Sequence, residues 1–393
     1  MAATISRGIK APIIRENDNI VDIVVDSVLK AAQEDGFAIQ DRDVIAVTEA
    51  VVARAEGNYA DTDAIAEDVR NKFGGGTVGV VFPILSRNRF AICLRGIARG
   101  AKKIVLVLSY PSDEVGNHLI SMDALDDSGI NPFCDVLSLE DYRKAFGYPK
   151  HPFTGMDYVE YYSNLIEEEG AEVQVIFSNH AEAVLQYTKN VLCCDIHTRE
   201  RTQRRVKAAG GEVVLTLCDI LNAPVNGSGY NSEYGLLGSN KATESTIKLF
   251  PNNAQQVAEA IQAQLVERTG KQVEAMVYGD GAFKDPVGKI WELADPVVAP
   301  GYTDGLNGLP NELKLKFLAD NDFASLSGEE LAEAIRARIK EKNEDLKGKM
   351  VSEGTTPRRL TDLIGSLCDL TSGSGDKGTP IVLVQNYFKN YAD

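Results

Sequence analysis

Apolar positions recur at two spacings along the chain. Residues 19–35, NIVDIVVDSVLKAAQED, carry them at helical spacing, behind Asp18 and Asn19, either of which can cap a helix start. In DVIAVTEAVVARAEGNY, Val44 to Val47 reads as a buried strand ending at Thr48-Glu49, with a short helix to Glu56-Gly57. Residues 62–72 predict another helix, and FGGGTVGVVFPIL a glycine turn and a strand.

The texture changes from about Ser86 to Leu221. KKIVLVLSY, AEVQVIFSN, NVLCCDI and EVVLTLCDI are short Val- and Ile-rich runs, and HTRERTQRRVKAAGG between the last two reads as a basic helix closed by glycines. Such alternation predicts α/β structure with partly parallel strands. The polar, aromatic DYRKAFGYPKHPFTGMDYVEYY reads as loop and short helix able to cover a site. Next, NAPVNGSGYNSEYGLLGSN is too long for a simple connector. A helix at 253–269 precedes the strand EAMVY. A charged helix follows, with a capping box from Ser327 to Glu330, and the chain closes as helix, glycine loop and strand.

Length and charge narrow the reading. A chain of 393 residues exceeds one ordinary core, so two or three domains are expected. No run approaches the roughly 18–20 apolar residues of a membrane span, and MAATISRGIKAPIIREND lacks the apolar centre of a secretory signal. A cytoplasmic location is the expectation. The net charge of −16 repels nucleic acid and anionic membranes, so neither is expected as a partner. Any polyanionic substrate needs a local site of metal, basic side chains or backbone N–H groups. The cysteines show no C-x-x-C spacing, and Cys193 and Cys194 point to opposite faces if they share a strand; buried free thiols are expected.

Three loops can carry chemistry: Asn222–Asn240, Gly279–Asp285 and Thr371–Thr379. All are rich in Gly, Ser, Asn or Asp, and two abut an apolar strand, where ligands of α/β sheets sit. Glycine admits a phosphate close to the backbone, and a carboxylate beside it suits Mg²⁺. GSGDKGT lacks the spacing of a Walker loop. Asp280, between two glycines, reads as a turn residue or as a metal ligand. Asp195 and His197, two apart at a strand end, and Arg54 and Glu56 are further polar candidates.

Taken in order, KAPIIREND, DVIAVTEAVVARAEG, GLLGSN, YGDGAFKDP and DLTSGSGDKGTPIVLVQN resemble the motifs of the γ-glutamyl ligases that add glutamate to the deazaflavin coenzyme F-420. The resemblance covers roughly 1–85 and 225–393. It implies a mixed α+β and α/β fold: a γ-glutamyl-ligase-like core from 1–85 and 223–393, with an inserted α/β domain over 86–222.

The resemblance also implies an activity and its reagents. Such ligases phosphorylate a carboxylate with a nucleoside triphosphate, GTP or ATP, with Mg²⁺ or Mn²⁺ present. The amine of L-glutamate then displaces the phosphate, and the enzymes are homodimers. Carried over by position, nucleotide contacts fall at Ala11, Pro12, Ile13 and Ile14, at Glu49, Ala50 and Arg54, at Asn240, and at Ser372, Gly373, Ser374, Gly375, Asp376, Lys377, Gly378 and Thr379. One family metal ligand falls on Asp280. Two others fall on Leu237 and Ser374, which leaves Glu233 and Asp285 as expected substitutes, with Asp376 available in the closing loop. Arg54 stands where the family has lysine. A folate-like or other acid as acceptor, a non-catalytic nucleotide- or metabolite-binding protein of the same fold, and a metal-dependent phosphohydrolase are the competing readings.

Overall fold

Short apolar runs, most of them buried on both faces, build three sheets in a computed structural model of the protein, which describes residues 3–281, 296–352, 358–373 and 375–393. In chain order the strands are β1 (Ile5–Ile9), β2 (Val44–Thr48), β3 (Tyr59–Asp61), β4 (Thr77–Val81), β5 (Lys103–Leu108), β6 (Leu137–Ser138) and β7 (Glu172–Phe177). There follow β8 (Asn190–Cys193), β9 (Val213–Thr216), β10 (Asn240–Lys241), β11 (Thr246–Lys248), β12 (Glu274–Tyr278), β13 (Gly301–Tyr302) and β14 (Ile381–Gln385). The mixture of α and β structure expected from the sequence is what the chain adopts.

The first sheet has the order β1-β14-β2-β12-β13. Strands β2 and β12 run parallel, from Glu274 opposite Val44 to Tyr278 opposite Thr48, while β14 runs against both β2 and β1. The carboxyl ends of β1, β2 and β12 and the amino end of β14 therefore share one edge. Side chains alternate across the sheet. Ile45 and Val47 pack under the helices Ile20–Asp35 and Ala254–Thr269, whereas Val44 and Ala46 meet Ile364 and Cys368 of the helix Leu360–Thr371. The first of these helices starts as expected: the Asn19 side chain accepts from the Asp22 N–H. The charged helix Gly328–Glu341 does not. The chain enters it through Gly328 at φ 56°, and Ser327 makes no side-chain capping bond.

The second sheet has the order β6-β7-β5-β4-β8-β9, parallel throughout except for β6. Numbered from β4, its parallel strands run 3-2-1-4-5, so the winding reverses between β4 and β8. The helices Phe90–Arg99 and Tyr158–Glu168 cover one face; the 3-10 turn Ala181–Gln186 and the helix Arg199–Ala208 cover the other. Cys193 and Cys194 fall on opposite faces, each buried and unbonded to other sulfur. A third sheet, β10-β11-β3, bridges the two larger ones. Among the described residues no helix is long and apolar enough to cross a membrane.

Candidate functional site

Four loops leave the shared edge of the five-stranded sheet, and main-chain hydrogen bonds join the closing loop to the segments that follow β1 and β2. The Ala11 N–H donates to Gly378 O at 3.1 Å, and the Thr48 N–H to Pro380 O at 3.0 Å. The closing loop is pinned on itself by bonds between Gly373 and Thr379 and from the Gly378 N–H to Gly375 O. Gly8 lets that loop come close: a Cβ there would lie 3.2 Å from the Thr379 side chain and 3.4 Å from Thr371 O. Arg54, one turn into the helix Glu49–Glu56, reaches back to donate Nε–H to Ile14 O at 2.5 Å. Residues 11–14 are thus held against the helix that begins at the end of β2. Glu56 points elsewhere, its carboxylate accepting the Asn252 N–H, so Arg54 and Glu56 do not form a surface pair.

Glu49 opens that helix and is buried. Lys248 of β11 donates to both its oxygens, at 2.5 and 2.6 Å. Asn240 stands opposite Lys248 in the β10–β11 pair, one strand away from Glu49. The structure therefore gathers Ala11, Pro12, Ile13, Ile14, Glu49, Ala50, Arg54, Gly373, Gly375, Asp376, Lys377, Gly378 and Thr379 around one sheet edge, with Asn240 beside it.

At the end of β12, Gly279 donates to Val298 O, and Asp280 forms an ion pair with Arg89, which precedes the helix Phe90–Arg99. The next residue, Gly281, donates its N–H to the Asp369 carboxylate at 2.9 Å. Arg89, Lys248 and Asp369 meet residues of this candidate site, and sequence reasoning did not find them. Their only signals are a basic residue ahead of a helix, a lysine in a short strand and an acid near a helix end, patterns shared by many surface residues.

The expected metal ligands do not assemble in the same way. Asp285 and Ser374 lie outside the described residues. Glu233 is exposed in the turns beyond β9, where its N–H donates to Asn231. Leu237, where the resemblance places an acid, is 1% exposed and lines a small cavity with Arg89, Cys194, Leu217 and Leu236. Cys93 borders the same cavity, and burial pushes its thiol up to about 11, so it stays protonated at neutral pH. Among the described residues no three His, Cys, Asp or Glu side chains come together as a metal site. The group facing Asp280 is a guanidinium, so the described residues by themselves do not fit a resident divalent ion.

Asp195 and His197 also part company. The strand ends at Cys193, so period-two geometry no longer applies, and Asp195 is buried while His197 is exposed.

The profile of the family described as F420-0:gamma-glutamyl ligase matches residues 8–386, running through both large sheets. The chain belongs to this family of C–N bond-forming ligases. No curated protein matches it.

Proposed function

We propose that the protein joins L-glutamate through a γ-glutamyl amide linkage to a carboxylate acceptor, nominally the deazaflavin coenzyme F-420 precursor, at the expense of GTP or ATP. The convergence of loops 10–14, 48–50, 279–281 and 372–380 on one sheet edge carries the reading. A glycine-rich backbone that admits a phosphate closely and the Lys377 ammonium are chemistry a triphosphate can use. Mg²⁺ or Mn²⁺ enters with the nucleotide, as part of the metal–nucleotide substrate, and no step is assigned to a resident ion.

The acceptor carboxylate attacks the terminal phosphorus and the nucleoside diphosphate leaves. The amine of glutamate then attacks the acyl carbon, expels inorganic phosphate and loses a proton. The protein's task is to bind and orient, because phosphorylation itself supplies the leaving group. Arg54 holds loop 11–14 in place, the Glu49–Lys248 pair fixes the start of its helix, and Arg89 presents Asp280. We further propose that the protein is a cytoplasmic homodimer; the expected boundary between a core of 1–85 and 223–393 and a module of 86–222 does not hold, because β4, at Thr77–Val81, pairs at the centre of the six-stranded sheet.

A second reading, a nucleotide-binding protein without turnover, is favoured by Leu237 at an acid position and by the cation on Asp280. Phosphate release from GTP or ATP with Mg²⁺ or Mn²⁺ separates the two. Ligation requires release that depends on both glutamate and an acid; tight nucleotide binding with no turnover for any acid supports the second reading. Release that needs no acceptor indicates a phosphohydrolase. Asp280→Asn is expected to weaken Mg²⁺-dependent nucleotide binding at least tenfold, and unchanged binding removes Asp280 from the site.

A further inference from the structure

The six-stranded sheet has an edge of its own that the ligase reading leaves unused. In open, doubly wound sheets, ligands bind outside the carboxyl ends of the strands where the winding reverses. Here the reversal lies between β4 and β8. A cleft of about 330 Å³ opens at that end, on the face carrying the turn Ala181–Gln186 and the helix Arg199–Ala208. This is within the size range of small-molecule sites.

The walls combine cationic and aromatic groups. Arg201 and Arg205, one helical turn apart, line one side, and His180, just past β7, lines another. Arg205 is shared with Glu182 at 2.5 Å, whereas Arg201 has no carboxylate partner among the described residues. Phe133 lines the mouth and is 83% exposed, an unusual setting for a large aromatic side chain. It is not loosely placed: His180 donates Nε2–H to Phe133 O at 2.6 Å, and Asn179 donates to Pro132 O at 3.1 Å. Phe82, directly after β4, lines the cleft with φ at 56°. A bulky residue in the left-handed region is a strained conformation of the kind that collects at binding sites.

We infer that this cleft is a second ligand site, taking a small phosphorylated compound with a planar ring, of the nucleoside monophosphate class. Guanidinium groups match phosphate oxygens in pairs, and an exposed phenyl ring offers a stacking surface. In a chain of net charge −16 an anion needs a local site, and this cationic cluster supplies one.

Titration calorimetry of the full-length protein with AMP, inorganic phosphate and adenosine tests this. AMP is expected to bind saturably and more tightly than either fragment. Arg201→Ser/Arg205→Ser is expected to weaken AMP at least tenfold, Phe133→Ala to weaken AMP but not phosphate, and Arg204→Ser, outside the cleft, to change nothing. Unaltered thermal melting of the double variant shows that loss of binding is not loss of fold. The inference fails if wild-type protein gives no saturable binding, or if AMP binds the double variant as tightly as wild type. It also fails if Lys377→Ser abolishes AMP binding while the double variant retains it, which places AMP at the five-stranded sheet. Failure of the ligase reading shows separately, as absent glutamate-dependent turnover with cleft binding intact.

Discussion

The two large sheets present their loops in opposite ways. At the edge of the five-stranded sheet, antiparallel neighbours bring both ends of the chain beside the parallel pair β2 and β12, and the loops bond to one another through main-chain atoms. At the carboxyl edge of the six-stranded sheet the parallel strands are joined by crossovers, and side chains take a large part in the fastening. Asp113 accepts from the N–H groups of Leu85, Val115 and Asn117, and Asn179 bonds Tyr110 and Pro132. Mixed pairing yields an edge stitched shut around backbone donors; parallel winding leaves a cleft walled by side chains. Substitutions at the first edge should therefore be felt as global stability, and those at the second as local changes in binding or titration.

The largest effect is expected at Lys248. Its side chain and that of Glu49 are each 7% exposed, so Lys248→Met removes a buried cation that donates to both oxygens of a buried carboxylate. A loss of about 3–5 kcal/mol in urea unfolding is expected. Combining it with Glu49→Gln should recover most of that loss, since the buried carboxylate is then neutralised along with its cation. A single substitution costing under about 1 kcal/mol would show that water reaches the pair, and the contrast between the two edges would collapse.

A smaller effect tests the segment that joins the sheets. Gly235 has φ at 52°, and a Cβ there would lie 2.4 Å from Ile220 O and 2.6 Å from Cys218 O, just beyond β9. Gly235→Ala should cost about 2–4 kcal/mol, from backbone strain and overpacking together. Gly270→Ala is the control: φ is 69° but nothing lies within 4 Å of its Cβ, so only the strain of roughly 1 kcal/mol is expected. Equal losses at both positions would mean that the 222–240 segment yields freely, and that the two sheets are not coupled through it.

These contrasts also explain what could be read in the sequence. Strands β2, β5, β7, β8, β9, β12 and β14 are buried apolar runs and announce themselves, as do the helices with a clear apolar face. The short strands β6, β10, β11 and β13 have two or three residues each, too few for a period to emerge. Pairing partners are also silent in a run of valines: nothing in TVGVV says that β4 lies at the centre of the six-stranded sheet. Glycine and small polar residues mark two loops of the candidate site, at 279–281 and 372–379, but not 10–14 or 48–50, and they mark 222–240 equally, which joins the sheets instead. Arg89 and Lys248 were not legible, because each meets its partner, Asp280 and Glu49, across a sequence separation of 191 and 199 residues.

The smallest expected effect lies at the second edge and concerns pH. Asp195 is 1% exposed, just past β8. One carboxylate oxygen accepts from Thr198 and Thr202, both at 2.6 Å, and the other is buried with no hydrogen-bond partner among the described residues. Burial raises its pKa, and the charge of nearby Glu114 adds to the rise against the two threonine bonds. A carboxyl group that holds its proton more firmly when folded stabilises the protein fully only below its unfolded pKa. That contribution declines as pH rises toward the folded value and stays lost above it. Asp195→Asn removes the ionisation and the repulsion from Glu114 while keeping the size of the side chain. At pH 7 the variant should be about 1 kcal/mol more stable than wild type, and this advantage should shrink or reverse as pH falls through the raised pKa of the folded protein. Urea unfolding of both proteins across that range measures the difference directly. A difference that does not change with pH would mean that Asp195 titrates as it does in the unfolded chain, and that the open edge is wetter than its burial implies.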